Sequence, residues 1–152
     1  MNSRGIAPFL HVADQPTADD LTTLASQGYT AVVNLRHEGE PEQPIGVEAE
    51  GERVRQAGLA YLSYPVGGSP LTPEGVRAVL ELIEQHAQAG GCTLLHCRKG
   101  GRAVALALLR EALAQHWSAA EVAARGAEAG LPVDGNLRVL VEQYMVAHPD
   151  IL

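Results

Sequence analysis

The chain reads as an α/β domain, a three-layer sandwich with a largely parallel central sheet and a helical C-terminal third. Three observations predict this. Short β-rich runs alternate with helical stretches from Phe9 to Gln115. Two of those runs, Thr30–Leu35 and Cys92–His96, are apolar almost throughout, as strands covered on both faces are. Beyond His96 the remaining segments are helix formers, rich in Ala and Leu.

Phe9–Ala13 is the first expected strand, closed by Asp14-Gln15-Pro16. Thr17 caps a helix to about Ser26, with Asp19 and Asp20 in its first turn and Gly28 at its end. The strand at Thr30–Leu35 leads into Arg36. His37–Val47, with three Glu, two Pro and two Gly, is an exposed loop. Glu48–Ala57 forms a short helix ending at Gly58. Ala60–Val66 alternates as a strand does, with Pro65 weakening its far end.

Gly67-Gly68-Ser69-Pro70 is a loop. Thr72 caps the next helix, with Pro73 at its first position and Val76, Val79, Leu80, Leu82 and Ile83 on its apolar face. Cys92–His96 is a buried strand, residues 97–102 a turn, and Ala103–Gln115 a helix. Ser118 with Glu121 forms a capping box for another helix, and Asn136 opens the last one, to about Ala147.

The 152 residues, 1–152, suit one ordinary domain. Hydrophobic content of 46% with 19% charged residues is a globular composition. A net charge of −7 excludes a global basic footprint for nucleic acid and makes a local basic cluster at 98–102 stand out. No apolar run approaches the roughly 20 residues of a membrane span, and Met1–Gly5 lacks the apolar segment of a secretory signal, so the chain reads as cytoplasmic. The six histidines (His11, His37, His86, His96, His116, His148) show no ligand spacing, so neither a metal nor another cofactor is implied. Cys92 and Cys97 bracket a strand and so lie roughly 16 Å apart, too far for a disulfide, which needs about 4.4–6.8 Å. Nothing here bears on oligomeric state.

The chemistry concentrates in Cys97-Arg98-Lys99-Gly100-Gly101-Arg102, which leaves a buried strand and enters a helix. A helix N-terminus offers unpaired N–H groups and partial positive charge. Gly100 and Gly101 let the backbone turn its amides inward around an oxyanion such as phosphate or sulfate. Arg102 adds a planar fork for two oxygens. The same field lowers a thiol's pKa from about 8.5 toward roughly 3.5–7.5, so one device serves both a Cys97 nucleophile and an anionic substrate. Arg36, at the end of its strand, is a possible second anion contact.

Leu95-His96-Cys97-Arg98-Lys99-Gly100-Gly101-Arg102 resembles the phosphate loop of the cysteine-dependent phosphatases, which carry His-Cys, five residues, Arg, then Ser or Thr. Four residues, not five, separate Cys97 from Arg102. That spacing is similar to the bacterial β-lactamase-hydrolase-associated phosphatase-like family, a relative of the dual-specificity and tyrosine phosphatases. Asp14-Gln15-Pro16, Val33-Asn34-Leu35-Arg36, Gly58-Leu59-Ala60-Tyr61 and Tyr64-Pro65-Val66 resemble it too. The resemblance covers about residues 8 to 115. It implies a dual-specificity-phosphatase-like fold and hydrolysis of phosphate monoesters through a cysteinyl-phosphate. Cys97 would attack phosphorus, Arg102 would hold the transferring group, the amides of Arg98, Lys99, Gly100, Gly101 and Arg102 would bind its oxygens, and His96 would orient the loop.

Two departures follow from the same resemblance. The loop after the Tyr-to-Val strand carries the general acid in dual-specificity phosphatases, and Gly67–Pro70 holds no carboxylate. Asp14, Glu38, Glu40 and Glu42 are the candidates to replace it. Ala103 stands where those enzymes have a hydroxyl that assists thiolate departure. Two alternatives stay open: a rhodanese-like sulfurtransferase using a Cys97 persulfide, which needs neither group and has the same loop length, and a non-catalytic phosphate-binding module.

Overall fold

A computed structural model describes residues 1–149. Five strands among them form one mixed sheet in the order β1-β2-β5-β3-β4. These are β1 (Ser3–Ala7), β2 (Leu10–Ala13), β3 (Ala31–Asn34), β4 (Ala60–Ser63) and β5 (Thr93–His96). β2, β5, β3 and β4 run parallel, and β1 pairs antiparallel with β2 at the edge. Every residue of β3 and β5 is buried, as expected of apolar strands in the middle of a parallel sheet.

Among the described residues, six α-helices cover the sheet: α1 (Ala18–Thr23), α2 (Val47–Gln56), α3 (Pro73–Gln88), α4 (Gly101–Gln115), α5 (Val122–Glu128) and α6 (Gly135–Ala147), with a short 3-10 turn at Ala25–Gln27 after α1. Side-chain alternation along the strands divides the core in two. Val32 and Leu94 point to one face and pack with Leu21, Leu24 and Val54 of the α1–α2 layer. Val33 and Leu95 point to the other and pack with residues of α3 and the C-terminal helices, among them Ile83, Leu106, Val122 and Val141. The helix α4 runs through the middle of that second layer. Ala103, Leu106, Leu108, Leu109 and Ala112 are fully buried there, each Leu contributing about 1.5–3 kcal/mol of apolar burial. Among the described residues, no helix is long and apolar enough to cross a membrane.

Local sequence signals set several boundaries. Thr72 Oγ1 accepts from Gly75 N at 3.1 Å with Pro73 at the first helical position. Thr17 and Asp20 form a reciprocal capping box. Several boundaries differ from expectation. The first helix ends at Thr23, with a 3-10 turn to Gln27 in place of its last residues, and the Ser118–Glu121 bonds form in the turn before α5, whose N-cap is Glu121. β1 falls in the segment read only for the absence of a signal. It is held by pairing to β2 and by Arg4, whose Nη1 donates to Gly130 O at 2.6 Å. β4 stops at Ser63, although Tyr64 N and Val66 N still donate to Asn34 O and Leu35 O. α4 starts two residues early, so Gly101 and Arg102 already lie in its first turn.

The order β2-β5-β3-β4 brings the carboxyl ends of four parallel strands to one edge, the position where open α/β sheets gather their sites. Gln15, Cys97, Arg36 and Val66 follow those ends in turn.

Candidate active site

Cys97 leaves β5 and is 1% exposed. Gly100 N–H donates to its Sγ at 3.1 Å. Gly100 is the N-cap of α4 with φ +101°, a left-handed backbone that an L side chain adopts only with strain. This residue turns the chain so that the N-terminus of a 15-residue helix stands over the sulfur.

Arg102 occupies the other end of the loop. Its Nη1 and Nη2 donate to Glu40 Oε2 and Oε1 at 2.7 and 2.8 Å. Nη1 also lies within reach of Leu35 O and Val66 O, at 3.3 and 3.2 Å. The Nη end of the fork is thus held from behind by Glu40, and the guanidinium also interacts with the Cys97 thiol. Hydrogen bonding to Glu40 is the largest reason the guanidinium is held above its ordinary pKa, and Cys97 adds to it.

Arg36, expected as a second anion contact, is fully buried, and its guanidinium is bonded to protein groups. Its Nε donates to Glu40 Oε1 at 3.0 Å, Nη1 to Gln15 Oε1 and Glu42 O at 2.8 and 3.1 Å, and Nη2 to Pro41 O. The loop after β3 is wound around this guanidinium, and the winding presents Glu40 to Arg102.

Each candidate proton donor is engaged elsewhere. Glu40 accepts from Arg102, from Arg36 and from His37 N at 2.7 Å, and hydrogen bonding to Arg102 above all lowers its pKa to about 2. A carboxyl with that value has no proton to give near neutral pH. Glu38 Oε2 accepts from Val47 N at 2.8 Å, at the start of α2. Asp14 accepts from the backbone and side chain of Asn2 at 2.6 and 3.0 Å, tying β1 to the turn after β2. Glu42 is exposed and pairs with Arg98 of the anion loop, which lowers its pKa.

Two residues enter the site that sequence alone did not single out. Glu50 of α2 is fully buried, and its Oε2 lies 2.7 Å from His96 Nε2. Gln15 reaches both Glu50 and Arg36. A signal for Glu50 exists in hindsight: Val47, Glu50 and Val54 share one helix face, so a carboxylate stands on an apolar stripe.

Cavities flank the loop on both sides. One of about 340 Å³ is lined by Asp14, exposed Lys99, Gly100 and Gly101. Another of about 370 Å³ adjoins Arg102 and is walled by Gly67–Pro70 and by Leu137, Val139 and Leu140 of α6. Among the described residues, Arg102 is the only charged one lining it. His37 Nε2 bonds with Gly67 O at 3.0 Å, fastening that wall to the loop that carries Glu40.

Comparison with known proteins places this arrangement. In fold, the chain is similar to PTPMT1 (TM-score 0.77, 14% identity, 99% of this chain and 96% of that one). It is likewise similar to Tk-PTP in its active form (TM-score 0.73, 19% identity, 94% and 95%). In sequence it is 34% identical over 143 residues to a β-lactamase hydrolase-like protein of Xylella fastidiosa strain 9a5c, covering 93% of this chain and 32% of that protein. It is 37% identical over 105 residues to the one of Agrobacterium fabrum strain C58, covering 68% and 23%. The chain therefore spans about a third or less of the length of these relatives. Residues 2–114 match the family described as the phosphatase-like domain of β-lactamase hydrolase-like proteins, and the chain belongs to that family.

Proposed function

We propose that the chain is a cysteine-dependent phosphatase acting on phosphate monoesters through a cysteinyl-phosphate. The observation that carries this is the Gly100 N–H on Cys97 Sγ at the mouth of α4, with the guanidinium of Arg102, oriented by Glu40, beside it. Cys97 thiolate attacks phosphorus, the ester oxygen leaves with the bond electrons, and water then hydrolyses the thiophosphate ester. The loop amides from Arg98 to Arg102 and the Arg102 guanidinium hold the equatorial oxygens. Glu40 and Arg36 orient Arg102, and neither touches substrate.

The four carboxylates near the loop are bound to other partners, and the wall at Gly67–Pro70 has none. General acid help is worth about 10²–10⁴-fold. The site thus suits esters whose leaving group departs without a proton. Aryl phosphates meet that need, and the mostly apolar cavity beside Arg102 accommodates an aryl body. Phosphate and sulfate, as product and mimic, would bind in the same nest.

One observation favours a second reading. The methyl of Ala103, fully buried, stands where a hydroxyl would assist thiolate departure. Sulfur transfer through a Cys97 persulfide needs neither that hydroxyl nor a general acid. A side-by-side assay of para-nitrophenyl phosphate hydrolysis and thiosulfate-to-cyanide sulfur transfer separates the two. Hydrolysis exceeding sulfur transfer is the expected result, and sulfur transfer alone would overturn the phosphatase reading. Phosphate binding without turnover in either assay would leave a binding module.

A further inference from the structure

The nucleophile end and the arginine end of the loop are joined through the interior by a single side chain, Gln15. Its Nε2 donates to Glu50 Oε1 at 3.1 Å, and its Oε1 accepts from Arg36 Nη1 at 2.8 Å. Its backbone N donates to Arg98 O, within the loop, at 3.2 Å. One continuous chain results: His96 Nε2 to Glu50 at 2.7 Å, Glu50 to Gln15, Gln15 to Arg36, Arg36 Nε to Glu40 at 3.0 Å, and Glu40 to Arg102 at 2.7 and 2.8 Å.

Chemistry sets the polarity of the links. Arginine only donates, so the Gln15 oxygen must face Arg36 and its amide nitrogen must face Glu50. His96 Nε2 and Glu50 Oε2 pair at 2.7 Å, with Nε2 the donor when Glu50 is a carboxylate. His96, Glu50 and Arg36 are fully buried, so water cannot stand in for a missing partner.

We propose that Gln15 is a positioning residue that holds His96, next to the nucleophile, in register with Arg102, so that anion affinity depends on a side chain that touches no substrate. This rests on the anion-site reading of the loop but not on which group is transferred. A glutamate at position 15 would still accept from Arg36 but would set a carboxylate against Glu50. Gln15 Nε2 also donates to Pro16 O at 2.9 Å, a bond that Gln15→Glu loses whatever stands at position 50. Exchanging the two groups, with Gln15→Glu and Glu50→Gln together, restores the donor–acceptor pairs along the chain itself: Glu at 15 accepts from Arg36 and from the new amide, whose oxygen accepts from His96.

The test compares the natural chain, Gln15→Glu, Glu50→Gln and the double exchange by titration with inorganic phosphate, read from the Gly100 and Gly101 amide signals. Gln15→Glu should weaken phosphate binding about tenfold, and the exchange should return it to within about threefold of the natural chain, as coupling within one hydrogen-bonded network requires. An exchange no better than the single variant, or a single variant with unaltered affinity, would overturn the proposal. If the natural chain shows no phosphate response, the anion-site reading fails instead. The iodoacetamide alkylation rate of Cys97 in the same four proteins, read by peptide mass, then decides the coupling by the same criterion of loss and rescue.

Discussion

β5 carries a cysteine at each end, and the two ends are built differently. Cys92, just before the strand, is 9% exposed, and burial pushes its thiol pKa up. Its thiol lies 3.9 Å from Thr93 O, and its backbone N donates to Thr30 Oγ1, which also bonds with His86 Nδ1 at 2.8 Å. Cys97, just after the strand, is still more buried, yet a helix N-terminus, a backbone N–H and a guanidinium converge on it. The two ends differ not in burial but in oriented donors, which α4 and Arg102 bring to one end of the strand only.

The sharpest break between the two ends is nucleophilic. Cys97→Ser should remove para-nitrophenyl phosphate turnover by a factor on the order of 10⁴ or more, the scale of nucleophile deletions. Cys92→Ser should leave turnover within about twofold. Equal losses from the two substitutions would erase the distinction.

On the proposed reading, the Cys97 end also holds anions through a planar fork. Arg102→Lys should weaken phosphate binding about 10- to 100-fold, because one ammonium cannot replace two parallel charge-assisted bonds. Isothermal titration calorimetry measures this, and unchanged affinity would contradict the assignment.

Next in size is an acid dependence. Glu40 is ionised in the folded chain down to about 2 against an ordinary value of 4.5. A depressed carboxyl pKa stabilises above the unfolded value, and that contribution drains as pH falls toward the folded one. Urea midpoints should therefore fall between about pH 4.5 and about pH 2. Glu40→Gln should cost on the order of 2 kcal/mol at neutral pH and flatten that slope. A variant with the same acid profile as the natural chain would show that the pair with Arg102 does not form in solution.

The smallest effect belongs to the Cys92 end. Thr30→Val removes the bonds to His86 and Cys92 N and should cost about 1 kcal/mol of stability with no change in phosphate affinity. A loss of anion binding there would mean that the two ends are not independent.

How much of this was legible in the sequence depends on how local each feature is. The anion loop is six consecutive residues between an apolar run and a helix former, so its geometry is written contiguously. The caps at Thr17 and Thr72 are equally local. β1 was invisible because Ser3, Arg4 and Gly5 have little strand propensity and gain order only by pairing with β2. Arg36 lies at the end of a strand, and only the loop folded back over it turns an apparent surface charge into a buried anchor. Glu50 lies among Glu48 and Glu52, like any solvated helix face. Its burial needs α2 docked on the sheet, and its contact with His96 spans 46 residues of chain. The dual-specificity-phosphatase-like fold and the family followed from motifs. The wiring behind the loop followed from tertiary structure alone.

The central claim is that Cys97 takes up a phosphoryl group. The direct measurement is an acid quench during turnover of para-nitrophenyl phosphate, followed by peptide mass analysis in parallel with a sample incubated with thiosulfate. The account predicts a phosphoryl adduct on Cys97, none on Cys92, and no adduct in Cys97→Ser. A persulfide on Cys97 from thiosulfate, with no phosphoryl adduct under turnover, would contradict it.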